Sequence, residues 1–288
     1  MHSATTTRTF GSSTLCVTAF LERRVRANLT VRDRLLFDSA YNPPVKTPTS
    51  SVHIYAQLRG SLSIAGGPPM AGPLAVILDE TELDRRPPGS PTFGSWGEPA
   101  VVVEIRVAAT DLHVPVGLRN GPLHLPTRVW DAYRALEAAP SEAHLQELLV
   151  RLGEARILSS DLARSVVRDE PERFVRLWDA LRPLYEDLST SSSLKQIAII
   201  TKLSLRQLGR DLGEFTQTFG LYGTGFRDAI GILRLRTAVV MLSSPGATAS
   251  DVARVIGYGS LAAMGRAFRD ARLPAPSVVQ DAVRYPDA

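Results

Sequence analysis

The sequence predicts an α+β chain with an N-terminal β-rich barrel or sandwich over residues 1–125. A helical connector follows over 126–167, and residues 168–288 form an all-α region with two helix-turn-helix motifs joined by a linker helix. Three observations predict this. Short β-branched runs separated by Pro/Gly-rich turns fill the first 125 residues; apolar residues then recur at helical spacing; and the last hundred residues repeat one helix, tight turn, helix pattern.

The predicted strands are "LCVTAF", "ANLTV", "VHIYAQL", "SLSIAG", "LAVIL" and "VVVEIRVA". Turn-rich pieces such as "YNPPVKTPTSS", "GGPPMAGP" and "RRPPGSPTFGSWGEP" separate them. Many short strands at such spacing favour a barrel or sandwich.

Helical periodicity begins near residue 126. "LPTRVWDAYRALEAA" opens on a Pro-Thr start and places Val129, Tyr133 and Leu136 on one face. Leu145, Leu148, Leu149 and Leu152 follow at i, i+3, i+4 and i+7. Phe174, Leu177, Trp178 and Leu181 mark a further helix over 171–188, which Pro183 disturbs. The run "STSSS" (189–193) is a joint, with Ser193 as a candidate helix cap.

With 44% hydrophobic and 22% charged residues, each part can bury an ordinary core. No apolar run approaches the ~20 residues of a membrane span. The N-terminus lacks a secretory pattern, and a single cysteine, Cys16, excludes an internal disulfide. The expectation is a soluble cytoplasmic protein with no membrane partner. Residues 189–288 hold 12 Lys/Arg against 7 Asp/Glu, whereas residues 1–188 hold 21 against 22. The basic excess is therefore confined to the last third, the electrostatic footprint of a polyanion site.

The repeated pattern is "SLKQIAIITKLSLRQLGRDL" and "TASDVARVIGYGSLAAMGRAF". Each needs a small residue where its helices cross, and Ala198 and Ala253 fit. Gly257, four residues after Ala253, suits a left-handed turn. The first copy has Lys202 there, implying a strain of roughly 1 kcal/mol or a different turn. Ser204 is the candidate cap of one second helix, and Gly259 or Ser260 of the other. A helix over 227–243 would be about 25 Å long, enough to hold two recognition helices toward successive major grooves ~34 Å apart.

Over roughly residues 170–280 the sequence resembles the AraC/XylS transcription regulators. "RLRTAVVML" resembles their linker-helix signature at Arg234, Leu235, Ala238 and Leu242. Ala253 follows Leu242 by eleven residues, Gly257-Tyr258 occupies the Gly-aromatic turn, and Phe268 and Pro276 fall in register. The chain departs from the pattern between Arg210 and Phe219-Gly220, where it is about three residues longer. It departs again at Leu212, Met264 and Leu273, which replace two aromatics and a glycine.

The resemblance implies a transcription factor that binds double-stranded promoter DNA, not an enzyme. It also implies a small effector, a second copy of the chain and RNA polymerase as further partners. The base-reading candidates it implies in the first copy are Arg206, Gln207 and Arg210, with Gly209 in place of a polar reader. In the second they are Ser260, Leu261, Ala262, Ala263 and Arg266. Arginine pairs with guanine and glutamine with adenine, while leucine and alanine meet thymine methyls. The first copy is therefore expected to carry more of the specificity. Lys202, Arg227, Arg236 and Arg269 are the phosphate candidates. Ile197, Leu208, Val252, Met264 and Phe268 are read as core.

Other motifs carry less. "FGLYGTGF" (219–226) lacks the Gly-Lys-Ser/Thr ending of a P-loop and reads as a turn. The carboxylates of "LDETELD" (78–84) read as a solvated loop. His2, His53, His113, His124 and His144 form no tight ligand pair, so no metal or other cofactor is expected. In the resembled family the N-terminal part is often a cupin-like barrel that binds an effector, and "SVHIYAQLRGSLSIAGG" is faintly similar to a strand pair of one. Tyr55, Gln57, Trp96 and Glu104 read equally well as core or surface, so effector-binding residues stay unassigned. The alternative reading is a cupin-like enzyme with a helical oligomerisation tail.

Overall fold

The computed structural model describes residues 1–43, 51–64, 67–79, 93–115, 122–165, 170–190, 193–221 and 225–284. The acidic run from Glu80 onward, the boundary at 168 and the middle of "FGLYGTGF" lie outside them. No described helix is long and apolar enough to cross a membrane.

Among the described residues the N-terminal strands form one nine-stranded antiparallel sheet curled into a half-barrel, not a two-sheet sandwich. The strands are β1 (His2–Phe10), β2 (Ser13–Glu22), β3 (Val25–Asp33), β4 (Phe37–Asp38), β5 (Ser51–Ile64), β6 (Met70–Ala71), β7 (Leu74–Asp79), β8 (Phe93–Ala108) and β9 (Pro122–Leu123). Their main order is β1-β2-β3-β8-β5-β7-β9, with β4 beside β8 and β6 beside β5. Two expectations are corrected. "VHIYAQL" and "SLSI" are one strand, β5, whose register against β8 shifts between Gln57 and Ser61. The break accommodates a close approach of glycines: a Cβ on Gly97 would lie 2.6 Å from the Gly60 Cα. Strand β1 is an addition to the expected set, because "HSATTTRTF" offers few apolar residues.

The sheet's two faces differ because side chains alternate along each strand. Val25, Ala27 and Leu29 of β3, Val101, Val103 and Ile105 of β8, and Val52 and Ile54 of β5 form one apolar face. Against it pack α1 (Thr127–Ala138), α2 (Glu142–Glu154) and α3 (Ser160–Ser165). Val129, Tyr133, Leu136 and the four α2 leucines are buried there as expected.

The opposite face carries Arg26, Asn28, Thr30 and Arg32 of β3 beside Val102, Glu104 and Arg106 of β8. It too is covered, by the C-terminal helices. Helix α4 (Glu172–Glu186) lies along β1, burying Phe174, Leu177, Trp178 and Leu181, and Pro183 sits within its last turn. The chain continues through α5 (Leu194–Thr201), α6 (Leu205–Thr218), α7 (Phe226–Leu242), α8 (Ala249–Val255), α9 (Leu261–Asp270) and α10 (Pro276–Arg284). Ala4 and Leu21 join the core of α4, α5 and α6. Leu15 and Leu35 join the core of α7 to α10. The C-terminal helices therefore pack directly on the sheet, and α1–α3, expected as a connector, cover its far face.

Candidate nucleic-acid interface and the cavity behind it

The first motif is α5, a turn and α6. Ser193 begins it with a capping box: its hydroxyl accepts from the Gln196 N–H at 3.2 Å, and the Gln196 side chain accepts from the Ser193 N–H at 2.8 Å. Ile197 and Ala198 are buried where the helices cross. Lys202 takes the left-handed conformation (φ 56°), letting the Leu203 N–H donate to the Ala198 carbonyl at 3.0 Å. Ser204 then caps α6, accepting from the Gln207 N–H at 3.2 Å. Leu208, Leu212 and Phe215 turn inward, while Arg206, Gln207, Gly209 and Arg210 are exposed.

The second motif repeats this bond for bond. Thr248 and Asp251 form its capping box, and the Tyr258 N–H donates to the Ala253 carbonyl at 2.8 Å. Ser260 caps α9, accepting from the Ala263 N–H at 3.1 Å. Up to the turn the copies correspond at an offset of 55 residues, and from the cap onward at 56, so the second turn is one residue longer. Arg206, Gln207 and Arg210 therefore correspond to Ala262, Ala263 and Arg266. Met264 and Phe268 are buried, Leu261, Ala262, Arg266 and Arg269 are exposed, and Ala263 is half-buried.

Gly257 has a packing reason beyond its φ of 82°. A Cβ there would lie 2.4 Å from the Leu188 carbonyl oxygen and 2.8 Å from the Ser189 Cα. The same joint is held from α7: Arg234 Nε donates to the Leu188 carbonyl and Nη2 to the Thr190 carbonyl, both at 3.0 Å. The second turn thus packs against the chain that enters the first motif, and Arg234 fastens the two.

Among the described residues, Lys202, Arg206, Arg210, Arg227, Arg266 and Arg269 make no ion pair. All six are exposed, a distribution that leaves cationic charge available to phosphate or base edges. Arg236 is a correction. Its side chain is 19% exposed and faces inward, with Nη2 3.8 Å from Glu104 Oε1. The sheet covers this side of α7, so Arg236 does not lie on the solvent face expected of a phosphate contact.

Arg236 instead faces a cavity between the polar face of the sheet and α7. Its floor includes Arg26, Asn28, Arg32, Tyr55 and Glu104; Leu233, Arg236, Thr237 and Val240 roof it; Phe37 and Tyr185 flank it. The empty volume, open mouth included, is about 930 Å³. Glu104 is its hub: His53 Nδ1 lies at 2.7 Å, the Tyr55 hydroxyl donates at 3.0 Å and Asn28 Nδ2 donates at 3.1 Å. Burial pushes the Glu104 carboxyl up, but Arg236, His53 and Asn28 outweigh it and hold it well below the usual carboxylate range.

Arg32 is buried beside the same cavity. Nη1 donates to the Ser95 carbonyl at 3.2 Å and Nη2 to the Ser95 hydroxyl at 2.5 Å; the guanidinium lies 5.5 Å from the Phe37 ring centre. Burial lowers its pKa to about 10, so it stays cationic at neutral pH.

Of the four residues left unassigned from the sequence, Tyr55 and Glu104 line the cavity. Gln57 is buried and accepts from the Ser95 hydroxyl at 2.6 Å; the Trp96 side chain lies outside the described residues. Sequence reasoning misses Arg26, Asn28 and Arg32, since charged residues alternating with apolar ones read as a solvated strand face. His113 and His124 are both exposed, and no three His, Cys, Asp or Glu among the described residues cluster to hold a metal.

No known family profile and no curated protein matches the chain. Among solved structures it is similar to an apo, singly substituted form of ToxT from Vibrio cholerae, at 11% identity and TM-score 0.35 over 90% of this chain and 97% of that one. An unsaturated fatty acid-bound wild-type ToxT from the same organism is similar at 13% identity and TM-score 0.31, over 95% and 96% of the two chains. The solved structures it is similar to also include CuxR, an AraC-like transcriptional activator, at 13% identity and TM-score 0.34 over 81% and 83%.

Proposed function

We propose that this chain is a sequence-specific, DNA-binding transcription regulator of the AraC/XylS type, modulated by a small effector. One observation carries the reading: two capped helix-turn-helix units with the same turn hydrogen bonds, joined by the 17-residue α7, each presenting exposed arginines on its second helix. At ~1.5 Å per residue α7 is about 25 Å long, a spacing suited to successive major grooves. The sequence landmarks from Arg234 to Pro276 support the same assignment. Arg206, Gln207 and Arg210 read bases in one groove. Ser260, Leu261, Ala262, Ala263 and Arg266 face the next, where small side chains permit close approach and the Ser260 hydroxyl also serves its cap. Lys202, Arg227 and Arg269 hold phosphates.

Action is by reversible binding, without covalent chemistry. The effector enters the cavity roofed by α7 and acts on the DNA units through that helix, a shorter route than one through α1–α3. A second copy of the chain and RNA polymerase belong to the same reading.

The test is selection of random duplexes by the intact chain at ~150 mM salt, where nonspecific phosphate binding is screened. The expected outcome is an enriched motif of two elements about one helical turn apart. No enrichment would overturn the proposal.

A further inference from the structure

The two ends of the cavity differ in how their charge is compensated. Arg26, Arg32 and Arg236 line it with one carboxylate, Glu104, among the described lining residues. Glu104 stands opposite Asn28 in the β3–β8 register, and Arg32 is four residues further along β3, about 13 Å at ~3.3 Å per residue. The Arg32 end is walled by apolar groups: Leu15 is its register partner on β2, and Phe37 lies against its guanidinium. Among the described residues no carboxylate pairs with Arg32. Ser95 uses one N–H on each terminal nitrogen of a group with five donors, and the buried Nε has no acceptor. A buried cation with neither counter-ion nor full hydrogen bonding is unfavourable by itself and becomes favourable when an anion joins it.

We propose that the cavity binds a small amphipathic acid, its carboxylate paired with Arg32 and its apolar body against Leu15, Val17, Phe37 and Val240. This deepens the effector half of the proposed function and rests on it for biological meaning, though not for binding. The apolar wall selects a hydrocarbon or aromatic body. Arg32 selects charge, because a neutral analogue leaves the guanidinium uncompensated. Since Val240 belongs to α7 and Arg32 to the sheet, an occupant ties the two together and favours this placement of the linker helix.

The experiment is calorimetric titration of the intact chain at neutral pH, without DNA, using decanoate, 2-naphthoate, decanol and decylamine. At least one acid should bind, with decanol weaker than decanoate by about tenfold or more and decylamine weaker still. Arg32→Met should weaken acid binding by about tenfold while changing decanol binding less than about threefold, and should not lower the thermal midpoint of the unliganded protein. Equal affinity for decanoate and decanol, binding of neither acid, or an Arg32→Met variant that keeps the acid preference would each overturn the proposal. The comparison of acid, alcohol and amine on the unaltered chain decides the matter even if Arg32→Met fails to fold. Failure here leaves the duplex selection standing, and failure of that selection leaves this titration unaffected.

Discussion

The two helix-turn-helix units share a fold and differ in what they place at equivalent positions. In the first turn a lysine occupies the left-handed position with solvent around it; in the second a glycine does so with the Leu188 carbonyl where a Cβ would be. The second helix of the first unit is 14 residues long and places Arg206, Gln207 and Arg210 outward; that of the second unit is 10 long and has Ala262, Ala263 and Arg266 at the corresponding positions. The extra length of α6 absorbs the longer stretch after Arg210 and brings Phe215 and Phe219 into the core beside Phe174. Duplication conserves the hydrogen-bonded frame and the inward apolar residues. It leaves the turn residue and the outward face free to diverge, so one unit offers hydrogen-bond donors and the other a slim surface.

Gly257→Ala tests the difference in the turns most severely. It combines left-handed strain with a backbone clash and should destabilise the protein by about 3 kcal/mol in denaturant unfolding. An effect below about 1 kcal/mol would mean that the turn relaxes freely. On the outward faces, Arg206→Ala and Arg210→Ala should each lose about 1–3 kcal/mol on the preferred duplex and relax base preference. Arg269→Ala should instead weaken binding to all sequences and lower the salt slope by about one. Arg236→Ala, which faces the cavity, should leave that slope unchanged, and titration across salt concentrations separates the two. Arg234→Met removes both bonds to the 188–190 joint and should lower stability by about 2 kcal/mol. Lys202→Gly should raise it by about 1 kcal/mol, the reverse of the Gly257 result.

The cavity offers a pH slope as a further test. Glu104 is held below its ordinary pKa, so its contribution to stability is complete above about pH 4.3 and is lost as pH falls toward the folded value. Glu104→Gln should flatten the acid limb of stability against pH, and an unchanged limb would contradict the assignment.

Much of this is legible in the sequence where local rules decide. Periodicity identifies the buried faces of α1, α2 and α4, and hydroxyl residues before apolar runs identify Ser193 and Ser204 as caps; the second unit's cap, open between Gly259 and Ser260 in the sequence, is Ser260. The repeated Ala-x-x-x-Lys and Ala-x-x-x-Gly spacing locates both turns. What escapes depends on packing between distant segments. Arg26 and Arg32 alternate with apolar residues as solvated side chains do, and the docking of the C-terminal helices on the sheet is what buries them. Arg236 fails for the same reason, since helical spacing cannot tell which side of α7 the sheet covers. Strand β1 escapes because its inward residues include His2, Ala4 and Thr6, too polar to show as a hydrophobic alternation.

On the proposed function the two units read separate elements of one DNA site, with more specificity in the first. This is tested most directly by repeating the duplex selection with intact Arg206→Ala and comparing the enriched motif with that of the unaltered chain. One element should lose base preference while the other, about one helical turn away, is retained. Equal loss at both elements, or a motif unchanged by the substitution, would contradict it.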